Sequence, residues 1–189
     1  MLLTAGVSRT NLPPIEGAMG MKGNWAEGIR PRNFTWVVKD RLAVSERPGG
    51  YGENHRRVRR QEEIIWILQQ GFDFVVSLIP SNHNLHNYEE LGLPYLHRPW
   101  PPTDQLGAYT ERLWSELQLL LDDGKRVLIH KEEVGERISG AIAGYLLSTG
   151  LVPTGPQATA ITERIIGRQL GAVGRGIVEL AARPPADAS

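Results

Sequence analysis

Apolar residues recur along this chain with two alternating periods, one typical of strands and one of helices. Phe34, Trp36 and Val38 alternate with other positions, as in a half-buried strand. The run 72–79 is continuously apolar and stops at Pro80, as expected of a strand buried on both faces. Further short strands are predicted at 42–45, 94–100 and 126–130, with Asp40-Arg41 as the first turn.

Helical periods separate these strands. A helix is predicted from about 54 to 70, with Val58, Ile64, Ile65 and Leu68 on its apolar face and Gly71 as its stop. The clearest helix is 104–122. Three more are predicted: one through 138–146, one beginning at Thr154 with a core side of Ala158, Ile161, Ile165 and Ile166, and one over 176–182.

Strands interleaved with helices predict an α/β fold with a mainly parallel central sheet flanked by helices. Residues 1–32 are rich in Gly, Pro and Asn, so we expect a poorly ordered N-terminal arm there. One domain is predicted over 33–182, followed by a disordered tail at 183–189.

Composition removes several function classes. The sequence has 21 Lys plus Arg and 21 Asp plus Glu, so no net field attracts nucleic acid or an anionic membrane. The first residues hold too short an apolar run for a signal peptide or a span, so a cytoplasmic protein is expected. It has no cysteine, which excludes disulfides, thiolate metal sites and any thiol nucleophile. No cofactor is expected.

The segment 127–147 carries the strongest functional signal. A buried strand runs through a short polar loop into a helix, which directs free backbone N–H groups and the positive helix end at the loop. This arrangement predicts an anion site. Its candidate residues are His130, Lys131, Glu132, Glu133, Val134, Gly135, Glu136, Arg137 and Ser139.

This segment resembles the signature of protein tyrosine and dual-specificity phosphatases: a strand ending in His-Cys, five residues, Arg, and a helix opening with Ser or Thr and Gly. Here His130 is followed by Lys131, five residues and Arg137, with Ser139-Gly140 after Ile138. The segments NFTWVV, RLAVSERPGG, DFVVSLI and PYLHRPW also follow the order of atypical dual-specificity phosphatases. The resemblance covers roughly residues 33–170.

The resemblance implies a thiolate nucleophile, an arginine that grips phosphate and an aspartate that protonates the leaving group. Lys131 stands at the nucleophile position, and an ammonium has no lone pair with which to attack phosphorus. Arg137 matches the phosphate-gripping arginine, and His130 matches a histidine that holds the loop. The extra Ile138 suggests a loop one residue longer than the family's.

The general acid has no clear counterpart. Its expected place falls near Pro101 and Pro102, which cannot donate a proton, and Asp104 is the nearest carboxylate. Two interpretations remain open for Asp104: a remnant of the acid, or the N-cap of the 104–122 helix.

Two interpretations also remain open for the loop. Lys131 and Arg137 could still receive phosphate, or they could pair internally with Glu132, Glu133 and Glu136, which outnumber them. The histidines 83, 86 and 97 lack the spacing of a metal site, and no metal is expected. The basic residues 55–60 are expected to form a solvated helix face beside Glu62 and Glu63.

These observations predict a catalytically inactive phosphatase-like protein that acts as a binding or scaffolding module. Its implied partner is a phosphoprotein or another phosphate-bearing ligand, with no role for nucleic acid or membrane. The alternative is a residual or different enzymatic activity, such as chemistry at a Lys131 amine. The sequence predicts no oligomeric state.

Overall fold

The computed structural model describes residues 28–50 and 57–182. Five strands are present in them: β1 (Thr35–Val38), β2 (Leu42–Glu46), β3 (Phe74–Ser77), β4 (Tyr95–His97) and β5 (Val127–Lys131). The helices are α1 (Arg57–Gln69), α2 (His86–Glu90), α3 (Leu106–Asp122), α4 (Glu136–Ser148), α5 (Gly155–Ile166) and α6 (Ala172–Ala181), with one 3-10 turn at Thr103–Gln105.

The strands form a single sheet in the order β1-β2-β5-β3-β4. Only the β1–β2 pair is antiparallel, and the three pairs that join β2, β5, β3 and β4 are parallel. The predicted mainly parallel sheet is therefore confirmed. β5 lies at its centre, with His130 in register with Ser45 on one side and Ser77 on the other. Since the carboxyl ends of parallel strands meet at one edge, the loop after β5 is flanked by those after β2 and β3.

Helices cover both faces of the sheet. α1 and α2 pack on one face and contribute Ile64, Ile67 and Tyr88 to a buried apolar cluster. α3 to α6 cover the other face and contribute Leu113, Ile142, Ala158 and Ile177 to a larger one. The continuous apolar runs of β3 and β5 follow from this arrangement, because both faces of each strand are dry. Among the described residues, no helix combines the length and apolar character needed to cross a bilayer.

Helix α4 is the most enclosed helix of the fold. All residues from 138 to 146 are buried, so it is surrounded rather than amphipathic. It approaches α6 so closely that a Cβ on Gly140 would lie 2.7 Å from the carbonyl oxygen of Gly174. Such packing fixes the N-terminus of α4, and with it the end of the loop after β5.

Three helix predictions need correction. Val58 of α1 is 55% exposed, and the buried positions are Arg60, Glu63, Ile64 and Ile67. The pattern was misleading because Arg60 and Glu63 have polar partners inside the protein.

In α5, Ala158 and Thr162 are buried whereas Ile161 is 41% exposed. α6 begins at Ala172, four residues before its predicted start.

Helix α5 starts as predicted. Thr154 is its N-cap, and its side chain accepts a hydrogen bond from the backbone N–H of Gln157.

Two described residues of the predicted N-terminal arm make backbone hydrogen bonds to the predicted domain. The N–H of Ile29 donates to the carbonyl of Glu62 (3.1 Å), and the carbonyl of Arg32 accepts from the N–H of Glu46 (3.0 Å). The rest of the predicted arm and the predicted tail lie outside the described residues.

Candidate functional site

The loop after β5 occupies the central position at the carboxyl edge of the sheet. β5 ends at Lys131, residues 132–135 connect, and α4 begins at Glu136 with Gly135 as its N-cap. The predicted strand–loop–helix unit is therefore present. Gly135 provides no side chain to cap the helix, so the first backbone N–H groups of α4 and its positive end face the loop.

Lys131 is held by an ion pair within the loop. Its Nζ lies 2.7 Å from Glu132 Oε2, and the two side chains are 14% and 23% exposed. Its backbone is fixed as well, because its carbonyl accepts the N–H of Arg47 at 2.7 Å. The side chain at position 131 is thus a cation bound to a carboxylate.

Arg137 has a different environment. It lies in the first turn of α4 and is exposed, and it makes no ion pair within the part of the chain that the structure describes. Of the two interpretations left open by the sequence, internal pairing therefore holds for Lys131 and not for Arg137. The physical reason is that Glu132 binds the adjacent Lys131, whereas the carboxylate next to Arg137 is bound elsewhere.

That carboxylate belongs to Glu136, which caps a second helix. Its Oε2 accepts the backbone N–H groups of Val173 (3.1 Å) and Gly174 (3.2 Å) in the first turn of α6. The Glu136 carboxylate can approach the start of α6 only because residue 171 is glycine, since a Cβ there would lie 2.3 Å from Glu136 Oε1. The carboxylate therefore neutralises the positive end of α6 and ties that helix to the loop.

Glu133 lies at the tip of the loop. It is exposed and makes no hydrogen bond or ion pair within the described part of the chain. Its carboxylate folds toward the N-cap of α4, where a Cβ on Gly135 would lie 3.2 Å from Glu133 Oε1. An acidic group of the loop itself thus stands close to the helix end where an anion is expected.

An open cleft of about 500 Å³ adjoins the loop. Besides loop residues it is lined by Ile138 and by two residues from the region of α5 and α6, Arg168 and Val173. Sequence reasoning missed both, because the contact of α6 with the loop arises from tertiary packing. The run 164–175, with three arginines and no acid, is the only sequence signal that could have drawn attention to them.

The base of the loop is buried. His130 is 1% exposed, and its Nε2 lies 2.9 Å from the hydroxyl of Tyr88. Burial, with a smaller contribution from the charge of Arg47, lowers the pKa of His130 to about 3. The ring is therefore neutral at physiological pH, and its fixed position suits a structural role.

Ser139 and Val134 also face inward. They are 3% and 8% exposed, and Val134 belongs to the larger apolar cluster. The hydroxyl of Ser139 has no hydrogen-bond partner among the described residues. These two predicted loop residues thus line the interior and not the cleft.

Asp104 is not a helix cap. It lies within the 3-10 turn Thr103–Gln105, and Gln105 precedes the first residue of α3. Asp104 is exposed and makes no hydrogen bond or ion pair within the described residues. The capping interpretation fails because the chain makes a 3-10 turn before α3 begins. The remnant-acid interpretation stays a prediction.

Of the histidine and arginine candidates, His97, Arg59 and Arg60 have partners within the protein. Among the described residues, no three His, Cys, Asp or Glu side chains are placed to hold a metal. His97 Nε2 lies 2.8 Å from the carbonyl of Ile79. Arg59 pairs with Glu63 at 2.7 Å, and Arg60 is buried and donates to Asn87 at 2.7 Å. The expectation of a solvated basic face is therefore wrong for Arg60.

Comparison of the sequence with known protein families finds no match, and no curated protein matches it either. The fold is similar to solved phosphatases. A structure of kinase associated phosphatase with its catalytic-site cysteine substituted by serine has 18% identity and a TM-score of 0.66, over 82% of this chain and 98% of that one. Tk-PTP in its active form has 20% identity and a TM-score of 0.62, over 80% and 98%.

Human DUSP28 is similar at 12% identity, with a TM-score of 0.60 over 82% of this chain and 96% of that one. These identities are low, so the likeness shows the fold. The chain has the α/β fold of dual-specificity and protein tyrosine phosphatases, as predicted.

Proposed function

We propose that this protein is a phosphatase-like protein without phosphate-ester turnover, and that it acts as a binding module through the cleft beside the 131–137 loop. One observation carries the proposal. The side chain at the expected nucleophile position is Lys131, already paired with Glu132 at 2.7 Å. The chain has no cysteine that could replace it.

The surroundings of Lys131 support the same conclusion. A phosphatase of this type needs a nucleophile, a cation that grips the phosphate and a positioned acid. Arg137 is the one candidate cation that matches the family pattern and is unpaired among the described residues. Asp104 is exposed and lacks a hydrogen-bonded position. The loss therefore extends beyond the nucleophile.

Amine chemistry at Lys131 is less well supported. A lysine acts as a nucleophile when it is neutral, which usually requires an apolar pocket or a neighbouring cation. The nearest charged partner of Lys131 is instead the Glu132 carboxylate, at 2.7 Å, and charged side chains line the cleft beside it.

A turnover assay tests the proposal. Purified protein is incubated with p-nitrophenyl phosphate and with phosphotyrosine and phosphoserine peptides, beside the Lys131→Ala variant prepared identically. We expect phosphate release from both at the rate of a blank preparation. Release by the wild-type protein that exceeds the blank, whether or not Lys131→Ala retains it, contradicts the proposal.

A further inference from the structure

We propose that the cleft binds an unphosphorylated acidic protein segment, through one carboxylate received by Arg137 and Arg168. The inference rests on the proposed binding function and names its ligand class. It departs from the phosphate expected of this fold, and three features of the cleft carry it: the charges left uncommitted, the place of Glu133, and the exposed side chain of Val173.

The charged side chains lining the cleft are three cations, Lys131, Arg137 and Arg168, and three carboxylates, Glu132, Glu133 and Glu136. Lys131 and Glu132 neutralise each other at 2.7 Å. Glu136 is bound by two backbone N–H groups of α6. The groups left for a ligand are therefore two guanidinium groups and one carboxylate, a net charge of one positive unit.

This remainder fits a single negative charge better than two. A carboxylate carries one charge and accepts hydrogen bonds from guanidinium groups in a planar fork. A phosphorylated side chain carries about 1.5 to 2 negative charges at neutral pH. In this cleft it would meet Glu133 beside the N-cap of α4, with Lys131 already occupied. Repulsion by Glu133 increases with the negative charge of the ligand, so the loop selects against phosphate.

Val173 indicates that the carboxylate is part of a peptide. Its side chain is 53% exposed and lines the same cleft as Arg137 and Arg168. A ligand that covers it needs an apolar group beside the carboxylate, and burial of apolar area adds to affinity. An acidic segment with a neighbouring leucine or valine supplies both groups, whereas a small free carboxylic acid supplies only one.

The test is an NMR titration of the ¹⁵N-labelled full chain with blocked hexapeptides. One carries a single leucine–glutamate pair among alanines, a second has glutamine for the glutamate, and a third has phosphoserine in its place; acetate serves as the small acid. We expect the leucine–glutamate peptide to shift the amides of 131–138 and 168–174. The glutamine peptide and acetate should bind at least about tenfold more weakly, and the phosphoserine peptide no more tightly.

Variants assign the contact. Arg137→Gln and Arg168→Gln should each weaken binding of the leucine–glutamate peptide about tenfold, the effect of losing one charged hydrogen bond. Arg164→Gln is the matched control, because Arg164 is exposed on α5 and does not line the cleft. It should bind like the wild type. Equal weakening by all three variants would indicate a general charge effect and overturn the proposal.

The remaining outcomes separate the two proposals. Tighter binding of the phosphoserine peptide, equal binding of acetate, or no shift with the leucine–glutamate peptide each overturns the carboxylate proposal. None of these affects the absence of turnover. Phosphate release from the phosphoserine peptide, followed in the same samples by ³¹P spectra, would instead overturn the proposed function.

Discussion

The base and the rim of the segment 130–139 differ in burial and in charge. The base, which we define as His130, Val134, Ile138 and Ser139, is buried, and its last two residues belong to α4. The rim, which we define as Lys131, Glu132 and Arg137, carries its charges at the cleft. The base is packed into the fold that the chain shares with solved phosphatases, whereas the rim consists of charged side chains. Packing and surface charge are therefore supplied by different residues of one segment, and each can be changed separately.

Removing an apolar group from the base should have the largest effect. Ile138 is fully buried where α4 leaves the loop. Ile138→Ala should reduce the free energy of unfolding by about 2–5 kcal/mol, through lost apolar burial and the cavity left behind. Urea denaturation measures this. Ile161→Ala, at a position 41% exposed, is the control and should cost about 0.5 kcal/mol. Equal costs would mean that the base is not tightly packed.

The second prediction concerns pH and His130. The pKa of its folded-state ring is about 3, below its ordinary value of 6.5, because burial disfavours the charged form. Between these values the unfolded chain binds a proton that the folded chain does not. Stability is therefore complete above pH 6.5 and is lost as the pH falls toward 3, at about 1.4 kcal/mol per pH unit, or roughly 2 kcal/mol by pH 5.

Urea denaturation across pH 4 to 7 checks this sign and slope. Other groups titrate in the same range, so the informative quantity is the difference between variants. His130→Asn should flatten the profile, although it lowers stability at pH 7. His86→Asn is the matched control, because the His86 side chain is 58% exposed, and it should leave the slope unchanged. An unchanged slope in His130→Asn would show that this ring does not produce the acid sensitivity.

The smallest effect is expected at the rim. Lys131→Met removes the ion pair with Glu132, and both side chains keep some contact with water. The free energy of unfolding should fall by about 1–2 kcal/mol, between the values typical of exposed and of buried ion pairs. The double variant Lys131→Met/Glu132→Gln should be no less stable than the single one. A loss as large as that of Ile138→Ala would remove the distinction between base and rim.

The parts of the fold that could be predicted from the sequence are those with one clear pattern of apolar residues. The apolar runs of β3 and β5 predicted buried parallel strands, because strands covered on both faces have few alternatives. The exposed face of α1 was misjudged for a physical reason. Arg60 and Glu63 are buried because polar partners satisfy them. Two of these partners, Asn87 and the N–H of Gly49, lie in other segments, and Arg59 lies in α1 itself.

The same limit applies to the site. The spacing of Lys131 and Arg137 was readable because strand, loop and helix are contiguous in sequence. The pairing of Lys131 with Glu132 was one of two predicted outcomes. The contact of Glu136 with α6, 37 residues away from Val173, was not predictable, since no local pattern specifies it. Arg168 and Val173 line the cleft because the region that begins α6 packs against the loop.

A thiol at position 131 shows whether the proposed defect extends beyond the expected nucleophile to Arg137 and Asp104. Lys131→Cys supplies the thiol that the resemblance implies, and phosphate release from p-nitrophenyl phosphate is compared with Lys131→Ala prepared in parallel. We expect no turnover above the Lys131→Ala baseline, because Arg137 is exposed, carboxylates face the cleft and Asp104 is not held as an acid. Turnover in Lys131→Cys that is absent from Lys131→Ala would contradict a defect beyond position 131, since a single substitution would then restore activity.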